Sequence, residues 1–139
     1  AEQCFKAGAR VTIVARDAAK LREACKKIGE SGGNEPSNIQ FFTLDIASAS
    51  SAQIGELLTK AAEAFGRVDV FIANAGMSRG GLMADVSLAE VDQMIDCQVS
   101  VNLAGTLRCT IAAAQAMAAD GAGGRVSMVS SACGLISMP

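Results

Sequence analysis

Residues 68–76 read Val-Asp-Val-Phe-Ile-Ala-Asn-Ala-Gly. The run Val68–Ala73 is short, apolar and rich in β-branched and aromatic residues, which predicts a buried strand. Asn74-Ala-Gly76 then turns the chain out of it. Small residues at that point let the backbone come close to a flat cofactor, and Gly76 permits unusual dihedrals.

The same alternation of strand and helix extends outward in both directions. Upstream, Val11–Ala15 (VTIVA) and Ile39–Leu44 (IQFFTL) read as two further strands. Between them Asp17 caps a helix over about 18–29, and Ser31–Ser37 forms a loop. Ser50-Ser-Ala-Gln53 fits a capping box for a helix over about 51–65, which Gly66 stops. Downstream, Ser87-Leu-Ala-Glu90 is another capping box. It opens a long helix to about Ala119, with apolar residues at 88, 91, 95, 99, 103, 107 and 111. Gly121–Gly124 breaks that helix before a fourth strand, Arg125–Ser130. Residues 1–8 read as the tail of a helix ending at Gly8, and residues 134–139 (GLISMP) as a loop. Strands joined by helices imply an α/β fold with a doubly wound parallel sheet and right-handed crossovers. No repeat or second domain interrupts residues 1–139.

Bulk properties narrow the function. Half of the residues are hydrophobic and the net charge is −2, with both signs interleaved. That argues against nucleic acid or an anionic membrane surface as the main partner. No apolar run approaches the length of a membrane span, and no signal peptide is visible. Cysteines at 4, 25, 97, 109 and 133 are odd in number with no CxxC spacing, which reads as reduced thiols in a compartment facing the cytosol. There is no His and no Tyr, so a His-based triad, a His-rich metal site and a tyrosine acid are excluded within these residues.

Ligands of a doubly wound sheet bind at the carboxyl ends of its strands. The residues following the four strands are Arg16, Asp45, Asn74 and Ser130-Ser131. Arg16, with Lys20 one helical turn on, offers two cations suited to a phosphate, or else a solvated basic helix start. Asp45 suits turn capping or a hydrogen bond from an adenine amino group. The hydroxyls at 130 and 131 suit turn chemistry or the polarisation of a carbonyl. Ser131 is not a nucleophile candidate, because no G-x-S-x-G elbow surrounds it. Asn102 stands inside the long helix, where Asn is unfavourable unless its side chain has a task. The bland alternative is a local kink with its amide bonded to backbone or water.

In order, VDVFIANAG (68–76), VNLAG (101–105) and GRVSMVSS (124–131) resemble the short-chain dehydrogenase/reductase family over essentially the whole chain. Within it, VARDAAKL and SMVSSACG look most like the 3-ketodihydrosphingosine (3-dehydrosphinganine) reductases. That resemblance implies a Rossmann-like NAD(P)-binding domain and NADPH-dependent reduction of a lipid-like ketone, with no nucleic-acid partner. Arg16 and Lys20 would hold the 2′-phosphate of NADPH. Asp45 would contact adenine, with Ile46 beside the ring, and Asn74, Ala75 and Gly76 would line the cofactor. Asn102 would support a proton relay, and Ser131 would polarise the substrate carbonyl. The rival readings are a 3-oxoacyl-thioester or steroid/retinol-type reductase and a non-catalytic NADP-binding sensor. The resemblance further implies the cytosolic face of the endoplasmic reticulum, or else the cytoplasm. Membrane association would run only through regions outside this chain, and a homodimer could form through the helix at 87–119.

Two departures from the family pattern carry physical consequences. The family's glycine-rich loop and first strand would precede Ala1, and its Tyr and Lys would follow Pro139, so the chain reads as an internal fragment truncated at both ends. Asp96-Cys-Gln-Val-Ser-Val-Asn102 stands where relatives read Asp-Val-Asn, a surplus of four residues. Four residues make slightly more than one helical turn, about 400° and about 6 Å of rise. Asn102 could be shifted along the axis, unless a local bulge absorbs the difference. Without a central strand the strands at 11–15 and 68–73 have no common neighbour. The 139-residue chain expressed alone is therefore expected to melt without a cooperative transition, and a sharp, two-state melt by circular dichroism would refute this.

Overall fold

A computed structural model describes residues 1–78 and 84–132. Cys133 and the loop expected at 134–139 lie outside the described residues. The described chain forms two compact units. The first comprises residues 1–45 with 63–65, and the second residues 46–62 with the described residues from 66 onward.

In the first unit a short helix α1 (Glu2–Lys6) precedes β1 (Val11–Ala15), α2 (Ala18–Gly29), a 3-10 turn (Pro36–Asn38) and β2 (Ile39–Thr43). β1 and β2 pair in parallel, with Val11 opposite Ile39 and Ala15 opposite Thr43. The Leu44 N–H still donates to the Ala15 carbonyl at 3.0 Å, so the expected strand end at Leu44 differs only in where the ladder is cut. Asp17 caps α2 as expected: its Oδ1 accepts from the backbone N–H groups of Ala19 at 2.9 Å and Lys20 at 3.0 Å. Leu21 and Ile28 of α2 are buried, as is Phe5 of α1, each such side chain contributing about 1.5–3 kcal/mol. Gly33 has φ +86°, and a Cβ there would stand 3.0 Å from the Lys6 carbonyl oxygen, so the loop 31–37 needs glycine on both counts.

In the second unit β3 (Val70–Ala73) and β4 (Arg125–Met128) form another parallel pair, Val70 opposite Arg125 and Ala73 opposite Met128. Both are shorter than the runs 68–73 and 125–130. At the near end Arg67 pairs with Asp69 at 2.7 Å and donates to the Gly123 carbonyl at 2.8 Å, fixing the entry to both strands. At the far end the Val129 N–H donates to the Ala73 carbonyl at 3.0 Å. Helix α3 (Ser51–Phe65) opens with the expected capping box: Ser50 Oγ accepts from the Gln53 N–H at 3.2 Å, and Gln53 Oε1 accepts from the Ser50 N–H at 2.9 Å. Gly66, at φ 92°, ends it. The buried face of α3 is Ile54, Leu58 and Ala61, a helical i, i+4, i+7 stripe.

The long helix at 87–119 resolves into three pieces: α4 (Leu88–Gln98), a π-helical segment (Val99–Gly105) and α5 (Thr106–Ala119). Ser87 starts it, its N–H and Oγ both donating to Glu90 Oε2 at 3.0 and 2.7 Å. The apolar residues that mark its period are not its buried face. Ile95, Val99, Leu103, Leu107 and Ile111 are all exposed, and so is Leu88. The buried positions are Val101, Gly105, Cys109, Ala113 and Met117. Gly105, Cys109 and Ala113 are small, and α5 packs directly on β3 and β4.

Gly55 lies in the interior of α3 with nothing within 4 Å of where a Cβ would be. Glycine there raises the backbone entropy of the unfolded chain without serving the folded one. Gly55→Ala in the natural full-length protein should therefore stabilise by about 0.5–1 kcal/mol, read as a higher denaturant midpoint at unchanged slope.

Candidate active site

In the first unit the register of β1 with β2 brings Arg16 and Asp45 to the same, carboxyl, end of the pair. Arg16 is exposed there. Lys20 is 84% exposed and stands 4.0 Å from Asp17 Oδ2, too solvated a pair to tie the ammonium down. The N–H of Lys20, and secondarily that of Ala19, hold the Asp17 carboxyl below its ordinary value, so it stays anionic at neutral pH. Those two N–H groups are therefore spoken for. An anion arriving at this end of α2 would be met by the Arg16 and Lys20 side chains rather than by the helix terminus.

In the second unit the chain leaves β3 by a sharp turn, the Asn74 N–H donating to the Ile72 carbonyl at 3.0 Å. Beyond it a cleft of about 490 Å³ opens at the carboxyl ends of β3 and β4. Asn74, Ala75, Gly76, Asn102 and Ser131 all line it. Five of the expected residues are thus brought together. Ile46, in the same unit, does not line this cleft and meets the helix at Gly105. The volume lies within the range of small-molecule and cofactor sites. Polar groups with small residues between them suit a flat, polar ring with a sugar attached, so the lining fits a nicotinamide riboside.

The Asn102 side chain has a definite task. Its Oδ1 accepts from the Met77 N–H at 2.9 Å and its Nδ2 donates to the Met77 carbonyl at 2.8 Å. One amide group thereby saturates one peptide of the loop that leaves β3. The surplus of four residues does not carry Asn102 away from the cleft, because a bulge is present. An i→i+5 turn takes in one residue more than an α turn. It therefore advances fewer degrees per residue than the α-helix on either side, and Asn102 still lines the cleft. Gly76 departs from its reading. It is not among the glycines with positive φ, and a Cβ there would make only an ordinary contact with Asn102 Oδ1 at 3.6 Å. What counts at Gly76 is small size toward the cleft.

Met77, Thr106 and Gly105 were not legible as site residues. Thr106 lines the cleft and donates through Oγ1 to the Val101 carbonyl at 3.2 Å, a five-residue span that closes the π segment. Gly105 did leave a signal. A glycine inside a helical pattern costs about 1 kcal/mol against alanine, and so hints at close packing.

Comparison with known proteins bears on this geometry. The short chain dehydrogenase family model matches residues 1–139. The chain is 31% identical over 138 residues to a 3-dehydrosphinganine reductase of Danio rerio, covering 99% of this chain and 40% of that protein. It is 30% identical over 136 residues to a 3-ketodihydrosphingosine reductase of Bos taurus, covering 98% and 39%. Among solved structures, an actinorhodin polyketide ketoreductase variant with NADPH superposes with a TM-score of 0.80 at 30% identity, over 99% of this chain and 49% of that one. The chain belongs to the short chain dehydrogenase family, and its fold is the α/β, Rossmann-like fold of that family. It spans about two fifths of the length of these curated relatives.

Asn102→Ala should release the Met77 peptide. Two hydrogen bonds each worth about 0.5–1.5 kcal/mol are lost, so amide exchange at Met77 should accelerate at least several-fold in the natural full-length protein. Unchanged exchange would show that the loop holds its place without the clasp.

Proposed function

We propose that the natural protein is an NADPH-dependent carbonyl reductase and that it reduces 3-ketodihydrosphingosine to dihydrosphingosine in sphingolipid synthesis. The observation that carries this reading is the convergence of Asn74, Ala75, Gly76, Asn102 and Ser131 on one cleft at the carboxyl ends of a parallel pair. The 3-dehydrosphinganine and 3-ketodihydrosphingosine reductases among the relatives support the choice of substrate.

NADPH, when bound, supplies the hydride that adds to the ketone carbon. Arg16 and Lys20 would hold the 2′-phosphate, Asp45 would contact the adenine, and Ile46 would lie beside the ring. Asn74, Ala75 and Gly76 give the nicotinamide end a close, flat approach. The Ser131 hydroxyl donates to the substrate oxygen. As the carbonyl π pair moves onto that oxygen, the hydrogen bond strengthens, which lowers the barrier. Asn102 serves the proton relay by holding the Met77 loop in place. The proton that completes the alcohol comes, on the family resemblance, from a Tyr outside these residues.

The exposed stripe Ile95, Val99, Leu103, Leu107 and Ile111 supports a homodimer through the helix at 87–119. The resemblance also supports residence on the cytosolic face of the endoplasmic reticulum. Among the described residues no helix is long and apolar enough to cross a membrane.

Turnover by the full-length protein tests the reading. 3-Ketodihydrosphingosine should be reduced faster than an acetoacetyl thioester, and with NADPH in preference to NADH. Arg16→Ala should raise KM for NADPH by roughly 10–100-fold, as expected for the loss of a charge-assisted phosphate contact, and leave KM for NADH nearly unchanged. Equal effects on both cofactors sink the 2′-phosphate assignment. Faster turnover of the thioester shifts the substrate to a 3-oxoacyl class. Cofactor binding without turnover of any ketone makes the protein a sensor.

A further inference from the structure

Gly105 has φ −62° and ψ −47°, ordinary right-handed helix that any residue adopts. Nothing in its own backbone asks for glycine. The space around it does. A Cβ at this position would stand 2.7 Å from the Ile46 carbonyl oxygen, 3.0 Å from Ile46 Cγ1 and 3.0 Å from the Ser100 carbonyl oxygen. Two of the three obstructing atoms are backbone and cannot swing aside. The helix therefore lies on the Ile46 peptide with no side chain between them.

Three residues earlier on the same segment, Asn102 holds both polar groups of the Met77 peptide at 2.9 and 2.8 Å. One wide turn thus grips two separate stretches of chain, one through a pair of hydrogen bonds and one through direct backbone contact. Thr106 Oγ1 bonds back to the Val101 carbonyl at 3.2 Å and closes the turn on itself. The Met77 loop is the cleft wall that meets the nicotinamide end. Ile46 opens the segment that meets the adenine.

We propose that the π segment Val99–Gly105 is a positioning device that holds the adenine-side backbone at Ile46 and the nicotinamide-side loop at Met77 at a fixed spacing, and that Gly105 sets the adenine side of it. Adding one methyl group at Gly105 presses on the Ile46 peptide and spoils the adenine contact; it also meets the Ser100 carbonyl oxygen, so amide exchange at Met77 is read alongside to show whether the clasp holds. The inference rests on the cofactor reading above and adds residues that the reading itself does not use.

The test is steady-state kinetics of the full-length enzyme carrying Gly105→Ala, with Gly55→Ala as the control glycine, since Gly55 has open space around it and no part in the site. For Gly105→Ala the KM for NADPH and the inhibition constant of adenosine 2′,5′-bisphosphate should both rise about tenfold, with kcat at saturating cofactor within about twofold of wild type. Gly55→Ala should change neither constant. A fall in kcat with KM unchanged is the pattern of a smaller active fraction, and it would overturn the proposal, as would no change at all. If Gly105→Ala fails to fold, Thr106→Val carries the test, because it loosens the same turn without adding an atom against Ile46. The same rise in KM and inhibition constant supports the proposal, and unchanged values overturn it. A wild-type enzyme that binds no dinucleotide removes the cofactor reading itself. That outcome is distinct from a wild type that binds and a Gly105→Ala variant that binds equally well.

Discussion

Parallel pairing is the constraint from which the rest of the structure follows. A parallel neighbour cannot be reached by a tight turn, so each pair encloses a crossover of a dozen residues or more. Helix α2 makes the crossover from β1 to β2. In the β3–β4 pair the long helix with its π segment does so. In each unit the paired strands then end on the same side. Ala15 lies opposite Thr43, which brings Arg16 and Asp45 to one edge. Ala73 lies opposite Met128, which brings Asn74 and the two serines at 130 and 131 to one edge. Residues far apart in sequence are gathered by topology, and no single motif needs to encode the cleft.

Parallel strands are normally covered on both faces. Here all four residues of β4 are exposed, and Val70, Ile72 and Met128 are each more than half exposed. In the second unit the buried face of α5, which packs on β3 and β4, consists of Cys109, Ala113 and Met117, and of these only Met117 is a large side chain. Hydrophobic stabilisation scales with area removed from water. These exposed apolar strands are the physical ground for expecting the 139 residues not to form a stable domain by themselves.

What could be read from the sequence was what is locally determined. The caps at Asp17 and Ser50 are chemistry within four residues, and both stand as read. The helix at 18–29 and the strand at 11–15 have the bounds their periodicity gives. Strand ends were less legible, because pairing at 68–69 and 129–130 depends on a neighbour rather than on the run itself. The facing of the long helix was not legible at all. It is apolar on two sides, with large residues outward at 95, 99, 103, 107 and 111 and Val101, Gly105, Cys109, Ala113 and Met117 inward, and period alone cannot say which side meets the strands. The cleft residues at strand ends were readable because topology fixes them. Met77 and Gly105 were not, because their roles are contacts made across the fold.

The surplus before Asn102 joins these threads. Read along the sequence, four extra residues threatened to rotate and slide Asn102 out of place. In the fold they coincide with a wide turn that slows the rotation. The turn is held by its own residues and the one that follows: the Asn102 amide on Met77, the bare Cα of Gly105 on Ile46, and the Thr106 hydroxyl on Val101. A π segment is uncommon in helices and is frequently found at functional sites. Asn and Gly are also among the residues a helix interior favours least. Three locally unfavourable choices within seven residues are consistent with one another only if the tertiary contacts they permit are worth more than the helix stability they give up.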